Sequence, residues 1–158
     1  MKKEEDLTDR NGAGARAPIV STWRLVSHKQ EDMETGEVTY PRGPNPRGLA
    51  TYTDDGRFSI LNVPGEREAP KGLSPTDAEA LALFKGLTAY AGRYSITGPD
   101  SLIHHTEIAW NESWANTDQP RRFKVEGDIL TLIAGPSNNP WDGRVVRATL
   151  TWKRITPD

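Results

Sequence analysis

The sequence of 158 residues contains no cysteine, no long apolar run and no surplus of basic residues. Without cysteine, the chain cannot form disulfides, thiolate nucleophiles, iron–sulfur clusters or cysteine-ligated zinc sites. No apolar stretch approaches the roughly 20 residues that a membrane-spanning helix needs. The 20 Lys and Arg residues face 22 Asp and Glu residues. This balance argues against a dedicated nucleic-acid-binding protein and against a polybasic membrane-surface protein.

Residues 1–17 are predicted to form a flexible tail, and residues 18–158 a single domain. The tail is rich in charge, glycine and alanine, and Leu7 is its only strongly apolar side chain. Such a segment cannot bury enough surface to offset the entropy lost on ordering. It also lacks the apolar core of a signal peptide. We therefore expect a soluble, cytoplasmic protein, and the sequence leaves its oligomeric state open.

The body of the chain is predicted to be mostly β-strand, with closely spaced turns. Turn residues at 54–56, 98–100 and 126–128 separate β-rich segments, and Asp-Gly between such segments is a strong hairpin signal. Eight or nine strands are expected, the first at 20–29 and the last at 144–155. This pattern predicts an all-β sandwich or barrel, and an eight-stranded barrel has room for one small ligand.

One α-helix is predicted between the strands. Ser74 is a suitable N-cap and Pro75 a suitable first residue. Ala80, Leu83, Phe84 and Leu87 then recur at helical spacing, and the helix should end near 86–88. It should pack outside the strands or across one end of them.

The two ends of the strand region carry the most informative residues. Ser21-Thr22-Trp23 opens the first strand, and Trp152-Lys153-Arg154 closes the last. This arrangement resembles the lipocalin floor, where the tryptophan of a G-x-W motif stacks on a basic residue near the chain end. Ser21 stands where that motif has glycine. The indole would plug the barrel, and Arg154 would add a cation–π contact of about 0.5–2 kcal/mol.

Longer segments resemble a family of bacterial lipocalin-like domains, which are calycin-type β-barrels, over roughly residues 20–155. They are STWRLVS (21–27), YPRGPNPRGLATYTDDGRFS (40–59), LTAYAGRYSI (87–96), IHHTEIAWNESW (103–114), TDQPRRFKVEGDILTL (117–132) and RATLTWKR (147–154). The resemblance implies a closed antiparallel barrel of about eight strands with one α-helix and a cavity for a small organic molecule. Lipocalin-like barrels also serve as cofactor-independent isomerases, cyclases and lyases, so the resemblance leaves enzyme status open.

A histidine and an acid on the strand 101–110 are candidate catalytic residues. The family pattern favours an inward orientation of His105 and Glu107, although neither face of this strand is cleanly apolar. A carboxylate beside an imidazole orients it and raises its basicity, as general acid–base catalysis requires. The alternative is that both side chains lie in solvent, or that a β-bulge turns His104 inward in place of His105.

Two further residues complete the predicted catalytic set. Arg121 shares its face with Phe123 and should point inward, where it needs a carboxylate such as Glu107 or an anionic ligand. A position at the rim of the barrel is the alternative. Tyr94 should offer its hydroxyl to a carbonyl or phenol oxygen of a substrate.

Aromatic side chains are the candidate ligand-binding residues. Tyr52 and Tyr90 would supply apolar area and one hydroxyl each. Trp110, Trp114 and Trp141 lie near strand ends and could line the open end, with Trp110 and Trp114 stacking on the ligand. Ordinary core or rim packing is the alternative for each. Arg42 and Arg47, in the proline-rich loop, could gate that opening.

No cofactor or metal is expected. The sequence lacks G-x-G-x-x-G, P-loop, G-x-S-x-G and H-E-x-x-H motifs. Three hypotheses for function therefore remain: a binding protein for a small, mostly apolar organic molecule; a cofactor-free isomerase, cyclase or lyase; and a filled barrel that only contacts partners. The size and lining of the cavity should distinguish them.

Overall fold

The computed structural model describes residues 17–157, so residues 1–16, most of the predicted tail, lie outside the described residues. Nine strands and one α-helix follow in chain order, together with a 3₁₀ helix at Glu112–Trp114. The elements are β1 Ser21–Asp32, β2 Val38–Thr39, β3 Arg47–Tyr52, β4 Arg57–Val63, α1 Asp77–Lys85, β5 Thr88–Gly98, β6 Ser101–Ala109, β7 Thr117–Glu126, β8 Ile129–Asn138 and β9 Val145–Arg154.

The strands form a closed antiparallel barrel, which confirms the predicted all-β fold. Each of β3 to β8 pairs with the next strand along the chain, β1 pairs with β3, and β1 also pairs with β9. Eight strands therefore close the ring, while the two-residue β2 extends the end of β1. Because the ring is closed, its eight strands leave no unpaired sheet edge.

The two ends of the barrel differ in their connections. At one end, here called the floor, short turns join β3 to β4, β5 to β6 and β7 to β8. The first strand also begins there and the last strand ends there. At the other end, here called the mouth, longer segments at 33–46, 64–87, 110–116 and 139–144 join the strands.

Trp23 and Arg154 close the floor as predicted. Trp23 is fully buried, and its Nε1 donates to the carbonyl oxygen of Ile19 over 2.9 Å. Trp23 and Arg154 are cross-strand partners, and the Arg154 guanidinium carbon lies 4.3 Å from the centroid of the indole ring. Arg154 Nη2 also donates to the carbonyl oxygen of Pro18. A cation–π contact and a buried indole thus seal this end.

The helix begins later than the sequence predicts and lies outside the barrel. Thr76, not Ser74, is the N-cap, because its hydroxyl accepts from Glu79 N–H while the Glu79 carboxylate accepts from Thr76 N–H. This reciprocal capping box fixes the start of the helix. None of the helix residues is buried. Phe84 packs near Trp110 and Trp141 at the mouth, with centroid distances of 6.5 and 6.2 Å.

Candidate functional site

The barrel interior contains a cavity of about 110 Å³ in its mouth half. Its wall is mostly aromatic and aliphatic, with a few polar groups that converge on it. The lining residues are His28, Ile60, Asn62, Thr88, Tyr90, Trp114, Arg121, Leu132, Ala134, Ala148, Leu150 and Trp152. An apolar wall with a small number of polar groups is typical of a small-molecule site.

A β-bulge brings His28 into this wall. Regular alternation along β1 would place His28 on the face opposite Trp23. In the structure, the pairing of β1 with β9 shifts between Leu25 and Ser27, so that Val26 is an extra residue. The bulge reverses the alternation, and His28 therefore faces inward with Trp23 and Leu25.

His28 is a neutral, incompletely bonded group in the cavity wall. Burial, followed by the positive charge of Arg42, lowers its pKa from 6.5 to about 4. Its buried Nδ1 atom has no hydrogen-bond partner among residues 17–157. Trp152, in the same wall, also has a buried ring nitrogen without a partner there. Two polar atoms of the cavity-lining side chains are thus left unpaired by the protein itself.

Arg42 spans the mouth above the cavity. Its Nε donates to Asn62 Oδ1 and its Nη2 to Thr88 Oγ1, both over 2.9 Å. Burial, and then the charge of Arg67, lowers the pKa of Arg42. Because Asn62 and Thr88 line the cavity, these two bonds tie the 41–46 loop across its entrance. Arg47, the other arginine considered as a gate, is exposed.

Arg121 faces the cavity, as its position beside Phe123 predicts. Along β7, residues 121, 123 and 125 are partly buried and their neighbours are exposed. The guanidinium Nη1 donates to the carbonyl oxygen of Pro120 over 2.8 Å. The predicted partnership with Glu107 is wrong, because Glu107 lies on the outer surface. Arg121 is therefore a cation in the cavity wall that Glu107 does not neutralise.

Two of the four predicted ligand-binding aromatics line the cavity. Tyr90 and Trp114 are in its wall, in edge contact at a centroid distance of 5.2 Å. Trp110 packs behind Trp114 at 5.1 Å, and its buried Nε1 has no partner among the described residues. Tyr52 lies deeper, in the floor half, and does not line the cavity.

His104 occupies the barrel core in the position that was predicted for His105. It is fully buried, stacks on Phe58 at a centroid distance of 4.1 Å, and contacts two tyrosine hydroxyls. Its Nε2 is 2.8 Å from the Tyr52 hydroxyl and its Nδ1 is 3.2 Å from the Tyr90 hydroxyl. Burial, followed by the charges of Arg121 and His105, lowers its pKa well below the usual value. A neutral imidazole donates from one nitrogen and accepts at the other, so both ring nitrogens are satisfied.

The predicted inward orientation of His105 and Glu107 is wrong. His105 Nδ1 lies 2.7 Å from Asp118 Oδ1 on the outer face, and Ser95 Oγ lies 2.8 Å from its Nε2. Glu107 accepts from Arg57 and Arg93 over 2.9 and 3.3 Å. These exposed ion pairs cross four strands outside the barrel, so His105 and Glu107 do not share an internal cavity with Tyr94 and Arg121.

A second β-bulge explains why the faces of β6 are mixed. The pairing of β5 with β6 runs from Ala91↔Ile108 to Gly92↔Thr106, which leaves Glu107 as an extra residue. Glu107 and Ile108 are consequently both exposed. Gly92 allows the close approach at this point, because a Cβ there would lie 2.1 Å from the carbonyl oxygen of His105.

The Tyr94 side chain faces inward, but it lies in the floor half and its hydroxyl is hydrogen-bonded there. Its hydroxyl donates to the carbonyl oxygen of Thr53 over 2.8 Å, and its ring meets Tyr52 edge-on at 5.2 Å. Burial, and then the charges of Asp54 and Asp55, raises its pKa. Tyr94 therefore supports the turn between β3 and β4 and does not line the cavity.

Other surfaces of the described residues do not resemble this site. A larger depression of about 1180 Å³ lies partly on the outer surface, where charged side chains such as Lys29, Lys124 and Arg147 line it. Within residues 17–157, no group of three or more His, Asp or Glu side chains is arranged to hold a metal ion. Neither helix in the described part has the length and apolar character that crossing a bilayer requires.

A closed eight-stranded antiparallel barrel with a plugged floor and an internal cavity defines a calycin-type domain of the small-molecule-binding class. Residues 20–155 match the model of the lipocalin-like domain family, and the chain belongs to that family. Among solved structures, it is similar to a lipocalin-like protein from Bacteroides uniformis ATCC 8492, with 12% identity and a TM-score of 0.46 over 88% of this chain and 100% of that one. No curated protein sequence matches the chain significantly.

Proposed function

We propose that this protein binds a small organic molecule inside the barrel, in the cavity between Tyr90, Trp114 and Arg121. The observation that carries the proposal is the cavity itself, which combines aromatic walls with a few converging polar groups. Family membership supports the same function, because a barrel of this type can hold one ligand. Tyr90, Trp114 and Arg121 are therefore the predicted site residues that we assign to ligand contact.

The size of the cavity limits the ligand. Drug-sized ligands occupy pockets of roughly 300–1,000 Å³, whereas a cavity of about 150 Å³ holds a single benzene ring. The cavity here is about 110 Å³. The ligand in this conformation is thus no larger than about one ring, and a larger one would have to displace Arg42 from Asn62 and Thr88.

A direct test combines native mass spectrometry with a matched pair of variants. The purified protein is examined for a co-purified molecule of low mass, and Ala148→Phe is used to fill the cavity from its wall. Ala91→Phe adds the same ring on the outer face of β5 and is the control. We expect the wild type and A91F to retain the bound molecule and A148F to lose it. Equal retention by all three proteins would place the ligand elsewhere and contradict the proposal.

The enzymatic alternative stays a prediction. Its acid–base pair, His105 and Glu107, lies outside the barrel, while Tyr94 and Arg121 point inward from different levels. No observation among the described residues favours an isomerase, cyclase or lyase over a binding protein. The predicted cytoplasmic location likewise stays a prediction.

A further inference from the structure

The charge of the cavity wall is unusual for a site that takes apolar molecules. Two of the lining side chains, those of Arg121 and His28, carry a basic nitrogen, and none of the lining residues is an acid. Arg42 adds a second guanidinium at the entrance. The positive groups around this cavity are therefore not balanced from inside it.

The Arg121 guanidinium has few hydrogen-bond partners among the described residues. The hydrogen bond that it makes among residues 17–157 uses one of its five N–H groups, on the carbonyl oxygen of the preceding residue. The ion pairs between described residues do not include it. Its neighbour Arg122, on the outer face, pairs with Asp100. A partly buried guanidinium without a carboxylate is costly unless an anion completes it.

Unpaired polar atoms occur elsewhere in the same wall. Trp152 is fully buried, and its Nε1–H lacks an acceptor in the described part of the chain. The buried Nδ1 of His28 also lacks a partner there. Buried polar atoms are usually hydrogen-bonded, and exceptions call for an explanation such as a ligand. These atoms are independent of Arg121, and they belong to side chains that line the same cavity.

We propose that the ligand of this cavity is a small monocarboxylic acid, bound as its anion with the carboxylate on Arg121 and the apolar part against Tyr90 and Trp114. This proposal rests on the proposed function, since it names the ligand class of the same site. A guanidinium fork matches the two oxygens of a carboxylate and binds them in a bidentate manner. The aromatic walls supply the apolar contact that one ring or a short aliphatic chain requires.

The test uses pairs of probes that differ in charge and hardly at all in shape. Benzoate is compared with benzamide, and hexanoate with hexanamide, by titration calorimetry and by the NMR signals of the tryptophan indoles near neutral pH. The variants are Arg121→Gln, Arg121→Lys and, as a matched control from the outer face of the same strand, Arg122→Gln. Circular dichroism verifies that each variant is folded.

We expect the wild type and R122Q to bind at least one carboxylate more tightly than its amide. R121Q should weaken the binding of that carboxylate by at least about tenfold and leave the affinity for the amide unchanged, because only the charge-assisted pair is lost. R121K should give an intermediate affinity, because an ammonium keeps the charge and loses the fork.

Three outcomes would overturn the proposal. If an amide binds as tightly as its acid, or if R121Q binds the acid as the wild type does, the ligand is neutral and the proposed function survives. If amides bind and acids do not, the carboxylate assignment is also wrong, and the proposed function again survives. If no probe binds and A148F retains the same co-purified molecules as the wild type, the proposed function fails together with the carboxylate.

Discussion

The floor and the mouth of this barrel are built in opposite ways. At the floor, short turns hold the strand ends together, Trp23 is fully buried, and its indole nitrogen is hydrogen-bonded. At the mouth, long connections carry half-exposed aromatic rings, and buried nitrogens of His28 and Trp110 have no partner among the described residues. We infer that the floor contributes more to stability, whereas the unpaired groups that could contact another molecule lie toward the mouth. Binding residues commonly lie on such variable loops above a rigid scaffold.

Removing the floor plug should have the largest effect. Trp23→Ala would leave a large cavity under a fully buried side chain and should lower the free energy of unfolding by about 3–5 kcal/mol. Trp141→Ala removes the same side chain at the mouth, where the ring is 51% exposed. This control should cost less than about 1 kcal/mol. Urea titration of both variants measures the difference, and similar losses would remove the contrast between the ends.

Lowering the pH should reduce the free energy of unfolding through His28, a buried group of the cavity wall. The pKa of His28 is about 4 in the folded protein and 6.5 in the reference state. Above pH 6.5 the imidazole is mostly neutral in both the folded and the unfolded state, so the titration of His28 does not change the stability with pH there. As the pH falls from 6.5 to about 4, the unfolded chain binds a proton that the folded protein does not, and stability falls by an amount on the order of 3 kcal/mol. The lowered pKa of His104 acts in the same direction.

Variants at the two histidines separate these contributions. His28→Gln should change stability little near neutral pH and should remove part of the acid-induced loss. His104→Gln should destabilise the protein at every pH, because it breaks contacts to two tyrosine hydroxyls. Leu132→Met, in the wall of the same cavity, is the control without a titratable group. A stability curve for H28Q parallel to that of the wild type between pH 6.5 and 4 would contradict the assignment.

The cation over the floor should contribute less than the indole that it covers. Arg154→Met keeps much of the apolar stem and removes the guanidinium, so it should cost about 0.5–2 kcal/mol. Lys153→Met changes the exposed neighbour, and a shift of less than about 0.5 kcal/mol is expected. Thermal unfolding of the pair checks this. Equal shifts would mean that the contact at 4.3 Å has no measurable stabilising effect.

The smallest effect is expected at the entrance. Arg42→Ala loses two hydrogen bonds and should lower stability by about 1 kcal/mol. It should also raise the pKa of His28, because the positive charge of Arg42 contributes to the lowered value. Titration of the His28 imidazole by NMR measures this shift, with Arg47→Ala as the exposed control. An unchanged His28 pKa in R42A would show that Arg42 does not lie over the cavity in solution.

Much of the fold could be predicted because it depends on local signals. Asp-Gly and Gly-Pro-Asp mark the floor turns, and alternation along β9 correctly places Val146, Leu150 and Trp152 on one face. Together with Trp23 and Arg154, these signals lead to a closed barrel. The helix start was misplaced because Ser74 and Thr76 both suit an N-cap, and the reciprocal bonds of Glu79 decide between them.

The site could be predicted only in part, because strand faces depend on bulges. Arg121 could be placed inward by the alternation along β7, which no bulge interrupts. Trp114 lies in the 3₁₀ helix at the mouth, where strand alternation does not apply and only its place near a strand end suggested a position at the opening. A single extra residue in β1 turned His28 inward. On β6, the predicted face was wrong from its first residues, and the bulge at Glu107 mixed the pattern that would have revealed this. The close approach at Gly92 was the available signal, because glycine inside a strand often marks a bulge.

The pairing of β1 with β9 has a consequence for how the chain is made. The ring closes when Trp23 meets Arg154, and these residues are 131 positions apart in the sequence. During synthesis, β1 reaches the outside of the ribosome long before β9 is translated. Until then one side of β1 is an open edge and the Trp23 indole has no Arg154 above it. Contacts between such distant segments also form slowly. In the nascent chain this edge of β1 is therefore open to aggregation until β9 has been released.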